Sequence, residues 1–284
     1  MEHIPELVRI SDLLATWEAD ATAAHEAYTT GQARGAVTAL PRLDRELGGF
    51  LTPGVHIVHG APGAGKTAFA LQVAATCGTP AVFVTCEMSP IELLRRITAR
   101  VTGTFLGRFK TGELSPEYSL RLARQAVAAV PNLYLADATL AYPNRAWIQE
   151  AALAVRGKER HVLVVIDSVH SWADGIPNAG MAEYDALNVS LSELRALSAV
   201  LECPVLAVAE RNRMSMSKGG LSAGAGTRKL EYGAWTVLDL GRKEGDKQDG
   251  NGEVEVVVTL DKNREGQKGV KVNLLFNGAL QSFR

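Results

Sequence analysis

The sequence has no long uninterrupted apolar run, no apolar leader and few cysteines. Its longest stretch without an ionised side chain, residues 67–86, is broken by the Gly-Thr-Pro of residues 78–80, so it does not span a bilayer. The first six residues lack an apolar core, which predicts the absence of a secretory signal. The three cysteines, too few and too scattered for disulfides or zinc, are Cys77, Cys86 and Cys203. We therefore expect a protein of the reducing cytoplasm with no membrane partner.

The chain also lacks an excess of charge of either sign. Thirty Lys and Arg residues against 31 Asp and Glu residues give a net charge of −1, so the whole molecule is not an obvious polyanion binder. Residues 211–229 depart from this balance, because they hold basic side chains and no acidic one. The basic residues are Arg211, Arg213, Lys218, Arg228 and Lys229. This local excess of positive charge indicates more about binding partners than the net charge of the whole chain does.

What is present is an ordinary globular composition, 46% hydrophobic and 21% charged, which excludes wholesale disorder. From residue 55 onward, short apolar runs alternate with helical segments. The runs lie at residues 55–58, 81–86, 133–136, 162–166, 205–209, 235–240, 254–260 and 270–276. Several early runs, notably residues 162–166, are apolar throughout, as in buried parallel strands, whereas the last two alternate, as in antiparallel strands with one exposed face. The pattern predicts an α/β fold with a mostly parallel central sheet flanked by helices and an antiparallel C-terminal edge.

Three segments lie outside this alternation. Residues 5–30 begin with the apolar spacing of one helix face and then become Ala-rich. The apolar positions are Leu7, Ile10, Leu13, Leu14 and Trp17. We expect one or two helices that stand apart from the core, which divides the chain into a helical segment (residues 1–30) and one larger domain (residues 31–284). Two polar, Gly-rich stretches, residues 168–180 and 214–226, are predicted to be mobile loops.

The strongest motif lies between the first predicted strand and the helix that follows it. The pattern G-x-x-x-x-G-K-[ST] is matched by Gly60, Ala61, Pro62, Gly63, Ala64, Gly65, Lys66 and Thr67. In such a loop, backbone N–H groups and the helix N-terminus face phosphate oxygens. Lys66 would bridge the β- and γ-phosphates, and the Thr67 hydroxyl would hold Mg²⁺. We predict an ATP and Mg²⁺ site; the competing interpretation is a Gly-rich turn with an incidental Lys-Thr.

Two carboxylates are candidates to complete this site. Asp167 follows the apolar run at 162–166, at the strand edge where ligands bind in open α/β sheets, and is predicted to hold Mg²⁺ through water. Many P-loop ATPases place a water-activating Glu directly after that Asp, but here the residue is Ser168. Glu87, at the end of the strand at 81–86, is the candidate to orient or deprotonate the attacking water. The alternative is a carboxylate that merely precedes a helix.

Together these features resemble the RecA-like ATPase domain of the DnaB family of hexameric replicative helicases, over residues 31–284. The segments that carry the likeness are residues 36–44, 48–54, 60–67, 83–89, 110–115 and 133–137. The strand that ends in Glu-Met-Ser holds the family's catalytic carboxylate, a role that the resemblance assigns to Glu87. It also implies ATP and Mg²⁺ as cofactors and a homo-oligomeric ring, expected to be a hexamer.

Residues 261–269 resemble the family's Lys-x-Arg-x-Gly hairpin. There the Lys and Arg reach across a subunit boundary to the neighbour's γ-phosphate, so the resemblance assigns this role to Lys262 and Arg264. A fixed guanidinium neutralises charge that develops on the transferred phosphoryl group, and its placement in trans makes hydrolysis depend on assembly. The alternative is a solvated hairpin tip.

The basic segment at 211–229 lies where the family has its central-channel DNA loop. With few aromatic residues, it would contact the backbone of single-stranded DNA without sequence preference. A merely solvated basic loop is the alternative. Residues 168–180, which include Trp172, would form the partner channel loop.

Three departures from the family pattern bear on function. Glu210 stands where the family has a Gln that senses the γ-phosphate, and Trp235 stands where it has an Asp. The chain also has no room for the family's N-terminal primase-interacting domain, so residues 5–30 would serve only as the linker helix that docks on the neighbouring protomer.

The sequence thus predicts an ATP-driven, ring-forming translocase on single-stranded DNA, a DNA helicase of the replicative type that also contacts a primase or a loader protein. Glu210 and the missing N-terminal domain favour an alternative, a RecA/RadA-like regulatory or loader ATPase that binds DNA or a protein partner without unwinding. A P-loop kinase would leave Lys262 and Arg264 unexplained.

Overall fold

A nine-stranded mixed sheet forms the centre of the molecule in the computed structural model, which describes residues 7–176, 183–210, 233–242 and 252–284. The strands are β1 (Gly54–Gly60), β2 (Ala81–Thr85), β3 (Leu133–Asp137), β4 (Leu163–Asp167), β5 (Pro204–Val208), β6 (Thr236–Arg242), β7 (Glu253–Asn263), β8 (Lys271–Asn277) and β9 (Ser282–Phe283). Their order across the sheet is β3-β2-β4-β5-β1-β6-β7-β8-β9. The predicted α/β fold with a mostly parallel sheet is confirmed.

Strand direction changes at one point in the sheet. From β3 to β6 all neighbours are parallel, and from β6 to β9 all neighbours are antiparallel. Strand β4 is buried along its whole length, whereas β8 alternates exposed and buried residues up to Leu275. The predicted antiparallel C-terminal edge is therefore confirmed, and it gains one strand, β9, that is too short to leave a sequence signal.

Helices cover both faces of the sheet. They are α1 (Leu14–Thr30), α2 (Pro41–Glu46), α3 (Lys66–Thr76), α4 (Pro90–Thr102), α5 (Leu106–Thr111), α6 (Pro116–Ala129), α7 (Arg145–Arg156), α8 (Val169–Asp174) and α9 (Glu183–Leu201). One hydrophobic cluster joins α3, α4 and α6 to the sheet through residues such as Phe69 and Ile97. The other joins α7, α8 and α9 through residues such as Ile148 and Trp172. Burial of these two apolar layers stabilises the fold.

The N-terminal segment lies outside both clusters. It consists of a 3₁₀ helix, Ile10–Leu13, followed by α1, and neither contains a buried residue. Trp17 is 73% exposed and Leu7 is fully exposed. The apolar stripe of residues 7–17 is therefore not buried against any other described part of this chain. The role of residues 1–30 as a linker that docks on a neighbour stays a prediction.

The prediction of a mobile loop at residues 168–180 is partly wrong. Residues 169–174 of the stretch 168–180 form helix α8, and Trp172 is 1% exposed, which excludes it from a solvent-facing loop. The helix forms because Ser168 caps its N-terminus and the Trp172 indole packs into the core, where its Nε1 donates to the Pro143 carbonyl (2.9 Å). The other loop, residues 214–226, lies outside the described residues.

No helix among the described residues is both long enough and apolar enough to cross a bilayer.

Strand β1 carries a fully buried histidine that predicts a pH dependence of stability. His56 Nε2 donates to the Thr52 carbonyl and Nδ1 accepts from the Thr236 hydroxyl, both at 2.8 Å. Burial lowers the pKa of this imidazole to about 4, whereas the unfolded chain protonates it near 6.5. We therefore expect His56 to cost about 3 kcal/mol of unfolding free energy as the pH falls from 6.5 to 4, because only the unfolded state gains the proton over that range.

Urea unfolding at a series of pH values checks this expectation. His56→Asn cannot titrate, so the difference in unfolding free energy between the native protein and the variant should narrow as the pH falls. If the unfolding free energies of the two proteins changed in parallel with pH, His56 would not be the source of the pH dependence.

Candidate nucleotide-binding site

The glycine-rich loop lies between β1 and α3, where the sequence places it. Gly60 and Gly65 both have positive φ, 155° and 94°. A Cβ atom on Gly60 would lie 2.5 Å from the Leu240 carbonyl oxygen, and one on Gly65 would lie 2.9 Å from the Phe283 ring. Only glycine therefore fits at these two positions, and the loop is pressed against β6 and β9. At Gly63 no atom of the described residues lies within 4 Å of a Cβ position, so this part of the loop faces open space, as a phosphate cradle requires.

Lys66 opens helix α3 and folds back over the loop. Its Nζ donates to the carbonyls of Gly60 (3.0 Å) and Ala61 (3.2 Å). Burial lowers the pKa of this ammonium, an effect opposed by the carboxylates of Glu210, Asp167 and Glu87. The lysine is thus the central cation of an acidic cleft.

Parallel strands bring the other candidates to the same edge of the sheet. Asp167 ends β4 and pairs in register with Thr85, the last residue of β2, two residues before Glu87. Asp167 is 4% exposed, and burial raises its pKa to about 6; the Glu87 carboxylate also raises it, whereas the Thr67 hydroxyl and Lys66 lower it. A buried carboxylate beside a hydroxyl is the hard oxygen set that Mg²⁺ prefers, so Thr67 and Asp167 fit that ion.

Glu87 lies at the mouth of the cleft rather than capping a helix. Helix α4 begins only at Pro90, with Ser89 as its N-cap residue. The Glu87 Oε1 accepts from two hydroxyls, those of Ser168 (2.6 Å) and Ser171 (2.9 Å). The side chain is exposed, as a group that handles a water molecule needs to be.

These residues line one cavity of about 360 Å³. The predicted residues among its walls are Pro62, Gly63, Gly65, Lys66, Thr67, Glu87 and Asp167. Arg96 of α4 and Gln281, which hydrogen-bond to each other, also line it and were not predicted. Sequence reasoning could not find them, because nothing in the sequence brings a helix and the C-terminal turn together.

Lys262 and Arg264 do not line this cavity. Lys262 lies in β7, where burial lowers the pKa of its ammonium and the charges of Arg264 and Arg195 lower it further. The guanidinium of Arg264 lies over the ring of Trp235, 5.0 Å from the centroid, and is exposed to solvent. Within one chain, the structure therefore keeps the hairpin cations apart from the phosphate loop.

The hairpin tip has defined anchors. Asn263 Nδ2 donates to the Glu46 carbonyl at the end of α2 (2.8 Å), and its Oδ1 accepts from the Glu265 backbone N–H (3.0 Å). The Trp235 indole Nε1 donates to Glu265 Oε1 (2.7 Å). Trp235, which stands where the DnaB pattern has Asp, thus contacts both Arg264 and Glu265. A tip held in this way presents its guanidinium in a fixed place.

The five predicted DNA-binding residues lie outside the described residues. They are Arg211, Arg213, Lys218, Arg228 and Lys229. The residue before them, Glu210, lines the cavity, and its backbone N–H donates to His170 Nδ1 in α8 (3.3 Å).

The strand, glycine-rich turn and helix, with an acidic residue at the end of a neighbouring strand, define a P-loop nucleotide-binding protein. Residues 35–284 match the model of the DnaB-like helicase C terminal domain family, and the chain belongs to that family. It is 27% identical over 258 residues to the replicative DNA helicase DnaB of Treponema pallidum (strain Nichols), an alignment that covers 88% of this chain and 56% of that protein.

A second relative is the replicative DNA helicase DnaB of Geobacillus stearothermophilus, 29% identical over 192 residues, which cover 64% of this chain and 41% of that protein. The chain thus spans about half the length of the curated relatives that it matches.

Solved structures share the fold. One that is described as an ATPase domain has a TM-score of 0.82 at 19% identity and covers 98% of this chain and 99% of its own. A DnaB-like replicative helicase, described with its interactions with primase, has a TM-score of 0.80 at 19% identity, over 98% of this chain and 68% of its own. The RadB recombinase has a TM-score of 0.55 at 21% identity, over 87% and 98%. The predicted RecA-like fold is confirmed.

Proposed function

We propose that this chain is the ATP-hydrolysing motor of a ring-forming translocase on single-stranded DNA, a DNA helicase of the replicative type that acts in the cytoplasm. The observation that carries the proposal is the convergence of Lys66, Thr67, Asp167 and Glu87 on one cleft, in a chain of the DnaB-like family. ATP and Mg²⁺ are the substrate and cofactor that this donor set suits.

Each residue in the cleft has a separate task. The loop N–H groups and Lys66 bind the phosphates, and Lys66 exchanges its two carbonyl partners for phosphate oxygens. Thr67 and Asp167 hold Mg²⁺, which when bound neutralises phosphate charge. Glu87 orients the attacking water and accepts its proton.

Lys262 and Arg264 complete the site of a neighbouring copy. Neither residue lines the cavity of its own chain, and the hairpin tip is anchored, as suits a cation supplied in trans. A head-to-tail interface of this kind closes into a ring, and the family resemblance favours a hexamer. The exposed apolar stripe of residues 7–17 suits docking on the adjacent copy, and a primase or a loader protein is the further partner we propose.

Single-stranded DNA is the proposed track, contacted by the basic segment at 211–229. We expect oligo-dT to raise the ATPase rate several-fold, because binding in the channel favours closed subunit interfaces. Replacing both Arg228 and Lys229 with alanine should remove most of this stimulation and lower the salt slope of DNA binding by about 1.4, at about 0.7 per phosphate contact. The matched control replaces two exposed basic residues elsewhere, Arg124 and Lys158.

The ATPase rate with and without oligo-dT also tests the second candidate function. That candidate, a RecA/RadA-like regulatory or loader ATPase, is favoured by Glu210, which replaces the Gln expected to couple nucleotide and DNA. An ATPase rate that does not respond to oligo-dT, together with an affinity for single-stranded DNA that does not depend on salt, would support the regulatory ATPase and contradict the translocase.

A further inference from the structure

Two serine hydroxyls converge on a single carboxylate oxygen in the cleft. Ser168 and Ser171 both donate to Glu87 Oε1, at 2.6 and 2.9 Å, so neither of them occupies the other oxygen, Oε2. We propose that this serine pair holds Glu87 in the orientation from which Oε2 receives the proton of the attacking water. The inference rests on the proposed role of Glu87 and adds two positioning residues to the site.

The geometry suits this task because Glu87 needs to be held in place. The side chain is exposed and has several rotatable bonds, so on its own it would populate many rotamers. Hydrogen bonds to a charged carboxylate are short and strong, and two of them on one oxygen select a narrow range of orientations. A catalytic group displaced by about 1 Å can lose about 10²-fold in rate.

The serines themselves are held firmly. Ser168 is 3% exposed and is the N-cap residue of α8, where its hydroxyl accepts from the Ser171 backbone N–H (3.4 Å) while donating to Glu87. One turn of helix therefore fixes both hydroxyls relative to each other. The helix is fixed in turn by Trp172, which stacks on Tyr142 and donates to the Pro143 carbonyl.

A further contact of α8 leads toward the proposed DNA segment. His170, between the two serines, accepts at Nδ1 from the backbone N–H of Glu210, the residue directly before the basic segment. Helix α8, which orients Glu87, thus also contacts Glu210, two residues after the end of β5. This contact gives the short helix a third point of attachment at the cleft.

Ser171 allows the sharpest test, because Ser168 also caps the helix and its loss would disturb α8 itself. Threonine and valine have nearly the same shape, and only threonine keeps the hydroxyl. We expect Ser171→Val to lower kcat for ATP about tenfold with KM unchanged, since the substitution removes a hydrogen bond to the Glu87 carboxylate and no contact with bound nucleotide. Ser171→Thr should stay within about twofold of the native rate.

A cycle with Glu87 separates positioning from structure. In a Glu87→Ala background, Ser171→Val should cause no further loss in single-turnover rate, because its effect passes through the missing carboxylate. Equal kcat values for the Thr and Val variants, with Glu87→Ala inactive, would overturn this inference and leave the proposed function intact. Full activity of Glu87→Ala would overturn the role of Glu87 and the inference with it.

Discussion

Replacing Arg264 with alanine should leave ATP binding unchanged and lower turnover by about 10³- to 10⁵-fold, the range for a guanidinium that acts on a transferring phosphoryl group. Binding is spared because Arg264 does not line the cavity formed by the phosphate loop of its own chain. Turnover is lost because charge that develops on the γ-phosphate of the neighbouring copy loses its counter-ion. Titration with a fluorescent ATP analogue and phosphate release under saturating ATP measure the two quantities separately.

Arg124→Ala is the control for this variant, because Arg124 is an exposed arginine of α6 and does not line the nucleotide cavity. It should leave both quantities at native values. If Arg264→Ala turned over ATP like the control, the hairpin would be a solvated turn and the trans assignment would be wrong. A loss of binding equal to the loss of turnover would show that Arg264 binds the ground-state nucleotide and does not act on the transferring phosphoryl group alone.

Replacing Lys66 with alanine should abolish ATP hydrolysis, with a loss of at least about 10³-fold, because this ammonium is the cation that lies over the glycine-rich loop. Affinity for ATP should fall as well, since the lysine meets the β- and γ-phosphates in the ground state. Stability should fall modestly, because Nζ donates to two loop carbonyls, those of Gly60, which is buried, and Ala61. Phosphate release, titration with a fluorescent ATP analogue and thermal unfolding of the variant check these three expectations in turn.

Lys110 supplies the matched control for this experiment. It forms a surface ion pair with Glu92 of α4, 2.9 Å between Nζ and Oε1, and it does not line the cavity. Lys110→Ala loses only that pair, a contribution of about 0–1 kcal/mol at an exposed site, and should keep native turnover. Native turnover in Lys66→Ala would show that the loop does not serve hydrolysis.

Much of the fold follows from local pattern. An apolar run such as β4 can bury all its side chains only in a sheet that is covered on both faces. The G-x-x-x-x-G-K-T pattern requires a strand before it and a helix after it. The sequence therefore predicted the parallel sheet, its antiparallel edge and the placement of Lys66 and Asp167. Glu87 was found by a weaker argument, that parallel strands end at one edge, and the structure places it there.

The errors and omissions have a common physical cause, dependence on tertiary contact. Residues 169–174 mix polar and apolar side chains and were predicted to be loop, yet the buried Trp172 indole and the Ser168 cap make them helical. Ser171 reaches Glu87 only because that helix forms. The anchoring of the hairpin through Asn263 to the Glu46 carbonyl joins positions 217 residues apart. A role in trans cannot be read from one chain at all.

The central claim is that one copy supplies the phosphate loop and Glu87 while its neighbour supplies Arg264. Mixing Arg264→Ala with Glu87→Ala subunits tests it directly, because each variant lacks one half of the seam. In a 1:1 mixture about a quarter of head-to-tail seams should contain both intact halves, so ATPase activity should reappear and peak at intermediate ratios. If the mixture stays inactive at every ratio while both variants still assemble, hydrolysis does not occur at a seam between copies.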